Sequence, residues 1–165
     1  MHIVPLIEDY NDPGYAEELK AAASVTRDRI YGRKVFARGL IEFTSYCRND
    51  CYYCGLRRSN RDALRYRLSY DCIMDTADAG YMAGFRTFVL QGGEDIYFND
   101  ERLIMIVRGI KERYPDAAVT LSVGERSFES YKALKEAGAD RYLLRHETAD
   151  SIHYRKLHPD DMSQE

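Results

Sequence analysis

The sequence predicts an α/β fold: a partial (β/α) barrel of the TIM type, about four βα units following an N-terminal helix. Short, nearly continuous apolar runs alternate with longer segments of helical periodicity, the pattern of βαβ units on a parallel sheet. Chemically active residues gather where each apolar run ends. Three cysteines follow the first run, Gly92-Gly93-Glu94-Asp95 the second, Gly124-Glu125 the third and His146-Glu147 the fourth. In (β/α) barrels that face carries the active site. A complete barrel takes about 250 residues, so these 165 residues are expected to be the first part of something larger.

The elements follow in order. Between Gly14 and Gly32 good helix formers, bounded by Pro13-Gly14 and Gly32, predict a helix. Val35 to Phe43 is the first predicted strand and runs into the cysteine loop. Ser69 to Ala83 is a helix with Ser69 as its N-cap. Arg86 to Gln91 is the second strand. Asp100 to Tyr114 carries Leu103, Ile106, Val107 and Ile110 at helical spacing, and Pro115 ends it. Ala118 to Val123 is a strand, and Ser127 to Ala137 a helix closed by Gly138. Asp140 to Arg145 is the fourth strand, and Asp150 to Leu157 a short helix. Residues 1–34 are expected to form a helical extension and 35–165 the barrel part.

Composition narrows the function class. The chain is 45% hydrophobic and 31% charged with a net charge of −3, which argues against a nucleic-acid role. No run approaches the roughly eighteen apolar residues of a spanning helix. The first nine residues lack the basic start and apolar core of a signal peptide. A cytoplasmic location is therefore expected. There disulfides rarely persist, and clustered cysteines point to a metal.

Cys47, Cys51 and Cys54 have the spacing C-x3-C-x2-C. Three thiolates on a cubic [4Fe–4S] cluster leave one iron open to a ligand, whereas an electron-transfer cluster normally takes four thiolates. A zinc site completed by His2, His146, His153 or His158 is the alternative, although zinc sites usually offer two C-x2-C-like pairs. In Gln91-Gly92-Gly93-Glu94-Asp95 the paired glycines let backbone pass close to a ligand, and Glu94 can accept from an ammonium group. Alone, that motif is equally a plain turn. Thr120 and Ser122 share one strand face, which would line a barrel lumen or be satisfied by neighbouring backbone. Arg145 can grip a carboxylate as a fork, and Glu147 can bind hydroxyls or an amine; the plainer alternative is a surface Arg–Glu pair. Arg57, Arg58, Arg61, Arg65 and Arg67 are expected on a solvated loop, and Cys72 as a small buried hydrophobe.

These residues resemble a known superfamily. The cysteine spacing with Tyr53 before the last cysteine is similar to the radical S-adenosylmethionine (SAM) signature, and Gly92-Gly93-Glu94 to that superfamily's motif for the methionyl amine. More narrowly the chain resembles the biotin-synthase-like branch. Gly55-Leu56-Arg57-Arg58-Ser59-Asn60 and Arg145-His146-Glu147-Thr148 favour the HydE group of [FeFe]-hydrogenase maturases over methylornithine synthase (PylB) or biotin synthase.

The resemblance implies a radical SAM enzyme with a [4Fe–4S] cluster on Cys47, Cys51 and Cys54 and SAM on the fourth iron. By the same resemblance Gly92, Gly93 and Glu94 receive the cofactor amine, Ser122 and Arg145 its polar groups, and Glu147 its ribose or amine side. Tyr53 borders the adenine. Implied partners are a small-molecule substrate, an electron donor such as ferredoxin or flavodoxin, and other hydrogenase maturases, with neither nucleic acid nor membrane. Members of the family are considerably longer than this chain, so an inactive half-barrel is the further alternative.

Overall fold

The computed structural model describes residues 12–163. The reading of the first nine residues, and His2 as a metal ligand, lie outside them. The chain divides into two compact units at Phe36/Ala37.

In the first unit, helix α1 (Pro13–Tyr31) starts at Asp12, whose carboxylate accepts from the N–H groups of Gly14 and Tyr15, and ends at Gly32 with φ 63°. Asp12 thereby satisfies orphan amides of the first turn.

The second unit is a parallel sheet with helices between its strands. Its elements are β1 (Gly39–Thr44), α2 (Tyr70–Met82), β2 (Thr87–Gly92), α3 (Asp100–Arg113), β3 (Ala118–Ser122), α4 (Phe128–Glu136), β4 (Arg141–Tyr142) and α5 (Ser151–Leu157). The four strands lie in the order β1-β2-β3-β4 and all pair parallel. Gly39 pairs with Phe88, Phe88 with Val119 and Thr120 with Arg141. Ser69, Asn99, Ser127 and Asp150 each cap a helix by accepting an N–H three residues on.

Alternation along the strands decides which side chains are buried. Ile41, Phe43, Phe88, Leu90, Val119 and Leu121 form a core with Ile73, Met74, Ala77, Leu103, Ile106, Val107 and Ile110 from α2 and α3. Burying each large member contributes about 1.5–3 kcal/mol. The residues between them, among them Glu42, Gln91, Thr120 and Ser122, take the opposite face by the same alternation. There Thr120 is 4% exposed and its Oγ1 has no hydrogen-bond partner among the described residues.

Three expectations are corrected. The first strand begins at Gly39, not Val35, because β2 begins at Thr87 and offers no parallel partner further back. The fourth strand is Arg141–Tyr142 alone, because β3 ends at Ser122 and the ladder between them ends where Leu143 N–H donates to Leu121 O. Cys72 is exposed, because the buried face of α2 runs through Ile73, Met74 and Ala77, one position round the helix.

Candidate functional site

The C-terminal ends of β1, β2 and β3 bring the cysteine loop and the Gly-Gly-Glu segment into contact. From Thr44 the chain enters the loop and returns antiparallel beside the strand end, where Ser45 N–H donates to Tyr66 O at 3.1 Å and Leu68 N–H to Phe43 O at 2.8 Å. Inside the loop Cys54 N–H donates to Cys51 O at 3.0 Å, and Arg58 N–H to Asn49 O at 2.9 Å. Cys47, Cys51 and Cys54 are free thiols, half-buried. Two backbone amides already face sulfur: Asn49 N–H on Cys47 Sγ and Leu56 N–H on Cys54 Sγ, both at 3.4 Å. Burial pushes the Cys51 thiol up, and the neighbouring thiols add to that.

Gly93 passes directly beneath the loop. A Cβ there would lie 2.6 Å from Cys47 Cβ and would overlap Tyr46 O. A Cβ at Gly92 would meet Thr44 Cγ2 at 2.6 Å. Only glycines let β2 run this close to the cysteine loop. Glu94 then rises beside the loop. Its carbonyl accepts from Arg48 N–H at 3.0 Å, and its Oε2 takes Arg48 Nη2 at 2.8 Å. Its Oε1 accepts from Glu125 N–H at 3.3 Å. Gly124, at φ +78°, is packed against the Glu94 side chain and has no room for a Cβ.

Ser122 ends β3, half-buried and paired with Gln91. Tyr142 on β4 donates to Gly124 O at 2.6 Å, and burial pushes its phenol up to about 12. Past β4 the arrangement is looser. Arg145 is exposed and forms no ion pair with Glu147 among the described residues. Glu147 has φ 58° and, like Cys51, lies near enough to the Tyr53 phenol to act on it electrostatically. Burial first, and then these two acidic neighbours, raise the Tyr53 phenol well above its ordinary value. Its hydroxyl is also 3.5 Å from His158 Nε2. Among the described residues no three His, Cys, Asp or Glu side chains converge on a single-ion site.

Residues 41–164 match the Radical SAM superfamily. The chain belongs to that superfamily. Among curated radical SAM relatives it is 47% identical over 150 residues to the [FeFe] hydrogenase maturase subunit HydE of Thermotoga maritima, covering 91% of this chain and 42% of that protein. It is 34% identical over 143 residues to 3-methylornithine synthase of Methanosarcina barkeri, covering 86% of this chain and 40% of that one. The crystal structure of methylornithine synthase (PylB) superposes with a TM-score of 0.80 at 32% identity, over 93% of this chain and 45% of that one. The [FeFe]-hydrogenase maturase HydG shares the fold, with a TM-score of 0.79 at 24% identity over 90% of this chain and 34% of that one. The chain thus spans about two fifths of the curated relatives it matches, 42% of the first and 40% of the second.

The structure also ties in residues that the sequence left unassigned. Asp95, 4% exposed, accepts from Arg67 Nε at 2.7 Å, Arg67 Nη2 at 2.9 Å, Thr44 Oγ1 at 2.7 Å and Tyr97 N–H at 3.0 Å. Arg67 in turn lies 4.1 Å from the Tyr46 ring centre and 4.9 Å from that of Tyr97. This network ties the end of β1, the start of the cysteine loop and the Gly-Gly-Glu segment to one another. The neighbouring arginines gave no hint of it, because their spacing suits a solvated loop equally well.

Proposed function

We propose that this chain forms the N-terminal part of a radical SAM enzyme that holds a [4Fe–4S] cluster and SAM, with a HydE-like role in assembling the active-site cluster of [FeFe]-hydrogenase. The observation that carries the reading is the packing of Gly93 beneath Cys47, with Glu94 rising beside the same loop. The residues fit a cluster. Three half-buried free thiols stand on one loop, with backbone amides aimed at two of the sulfurs. A cubane spreads its irons over a cube and needs thiolates further apart than a single ion does.

In this reading Cys47, Cys51 and Cys54 hold three irons. Glu94 receives the cofactor ammonium, a task supported by the cation it already accepts from Arg48. Gly92 and Gly93 admit the methionyl end, Ser122 and Arg145 bind its polar groups, Glu147 the ribose or amine side, and Tyr53 borders the adenine. When bound there, the cluster would supply the single electron for reductive cleavage of SAM. The protein orients the cofactor and keeps water away.

A small-molecule substrate, a ferredoxin- or flavodoxin-type electron donor, other hydrogenase maturases as partners and a cytoplasmic setting go with this role. No helix among the described residues is long and apolar enough to cross a membrane. A second reading, a radical SAM enzyme of the PylB or biotin-synthase kind with a small amino-acid substrate, is favoured by the likeness to the PylB structure. The HydE-like reading is preferred on the higher identity, 47% against 34%. The test is EPR of the reconstituted, dithionite-reduced chain with and without SAM. A spectrum changed by SAM supports the proposal; an unchanged spectrum at saturating SAM contradicts it.

A further inference from the structure

We propose that Arg65 is the positioning residue of the cysteine loop, and that its guanidinium governs both retention of the cluster and its reduction potential. The proposal rests on the cluster reading above and adds a residue to it. Arg65 Nη1 donates to Ser45 O and, at 3.0 Å, to Leu56 O. Its Nη2 donates to Arg57 O at 2.8 Å and Asn60 O at 3.1 Å. One acceptor precedes Cys47 and three follow Cys54, so a single planar group ties both ends of the loop that carries the trio.

The bonds also set the direction of the peptides. In a trans peptide the C=O and the following N–H point opposite ways. Drawing the carbonyls of Leu56 and Arg57 toward Arg65 turns the next amides inward. The N–H of Arg57 then meets Cys54 O at 3.2 Å, and that of Arg58 meets Asn49 O at 2.9 Å. Asn49 and Leu56 are the residues whose own amides face Cys47 Sγ and Cys54 Sγ. The guanidinium therefore acts on sulfur through one intervening layer of backbone.

Charge adds a second effect. Arg67 is neutralised by Asp95, whereas no carboxylate is paired with Arg65 among the described residues. Its positive charge is met by four carbonyl dipoles and, at 6.0 Å, the face of the Tyr46 ring. Bound to the backbone of the loop that carries the three cysteines, it would favour an added electron and raise the cluster's potential, because net charge and hydrogen bonds to sulfur both tune such clusters. Lysine keeps the charge but cannot reach four carbonyls from a planar fork. Glutamine loses both charge and fork.

The experiment reconstitutes the full chain, Arg65→Lys and Arg65→Gln anaerobically. It measures iron and labile sulfide, retention against EDTA, and potential by mediated EPR titration, with circular dichroism confirming the fold. Arg65→Lys is expected to lose retention about tenfold, as for other groups that orient metal ligands, with a potential close to the parent's. Arg65→Gln is expected to lose retention similarly and to move the potential to more negative values. Parent-like retention in Arg65→Lys overturns the positioning role, and does so even where Arg65→Gln fails to fold. An unchanged potential in Arg65→Gln overturns the charge effect. A parent chain that binds zinc without sulfide overturns the cluster reading and this inference together.

Discussion

Arg48 reaches from the cysteine loop to Glu94, with its Nη2 2.8 Å and its Nε 2.9 Å from Oε2, while its backbone N–H donates to the Glu94 carbonyl at 3.0 Å. The first cysteine of the trio, Cys47, and the proposed ammonium acceptor are thus joined through Arg48, the residue that follows Cys47. Glu94 is held in place by backbone as well as by charge, so the acceptor can be altered without moving its strand.

Glu94→Gln is the corresponding prediction. The backbone bond from Arg48 survives, the carboxylate charge does not, and the thermal midpoint is expected to stay near the parent's. SAM binding to the reconstituted protein weakens by about 1.5–3 kcal/mol, or roughly ten- to hundredfold in Kd. Equilibrium binding of SAM checks it, and an unchanged Kd removes Glu94 from the cofactor site.

Gly93→Ala tests the close approach of β2 to the loop. The added methyl enters the space of Cys47 Cβ, 2.6 Å away, and of the Tyr46 carbonyl, neither of which is a flexible side-chain end. Overpacking of this kind costs about 1–3 kcal/mol. Thermal unfolding should show that loss, and iron and sulfide content after reconstitution should fall, because the loop that moves carries the ligands.

Much of this architecture was legible in the chain itself, for identifiable reasons. Ser69 and Ser127 announced their helices because an N-cap acts locally. Gly138, at φ +112°, marks the end of α4 for the same kind of reason. The cysteine loop, the Gly-Gly-Glu segment and Gly124-Glu125 fall at one edge because parallel strands bring their C-terminal ends together. Strand lengths were less legible, since Val35–Arg38 and Leu144–Arg145 are apolar enough for strand but lie outside the parallel ladders. Arg67 and Asp95 stand 28 residues apart, and Arg65 binds carbonyls that have no sequence signature. Local pattern carries no trace of such contacts.

Asp95 predicts a pH dependence. Burial alone would raise its carboxyl, yet the bonds from Arg67, Thr44 and the Tyr97 amide outweigh that and hold it below 3.8. A lowered folded value means the stabilisation is complete above 3.8 and is lost as pH falls through the folded value. Asp95→Asn is therefore expected to be less stable by about 2 kcal/mol near neutrality, the range for a hydrogen-bonded charge. Denaturant titrations at several pH values should show that gap constant at neutral pH and closing in the acid range below 3.8.

Glu147 predicts a conflict between stability and binding. Its φ of 58° is a left-handed conformation that costs a residue other than glycine about 1 kcal/mol or more. Glu147→Gly relieves that strain and removes the carboxylate near Tyr53. A thermal midpoint at or above the parent's, together with weaker SAM binding, is the expected pair of results.

The central claim is that Cys47, Cys51 and Cys54 hold a cluster whose remaining iron accepts SAM. Metal and sulfide analysis of the chain after anaerobic reconstitution, beside a variant with all three cysteines changed to alanine, tests it most directly. The account predicts about four irons and four labile sulfides per chain, and none in the variant. Stoichiometric zinc without labile sulfide, or equal iron and sulfide in the variant, would contradict it.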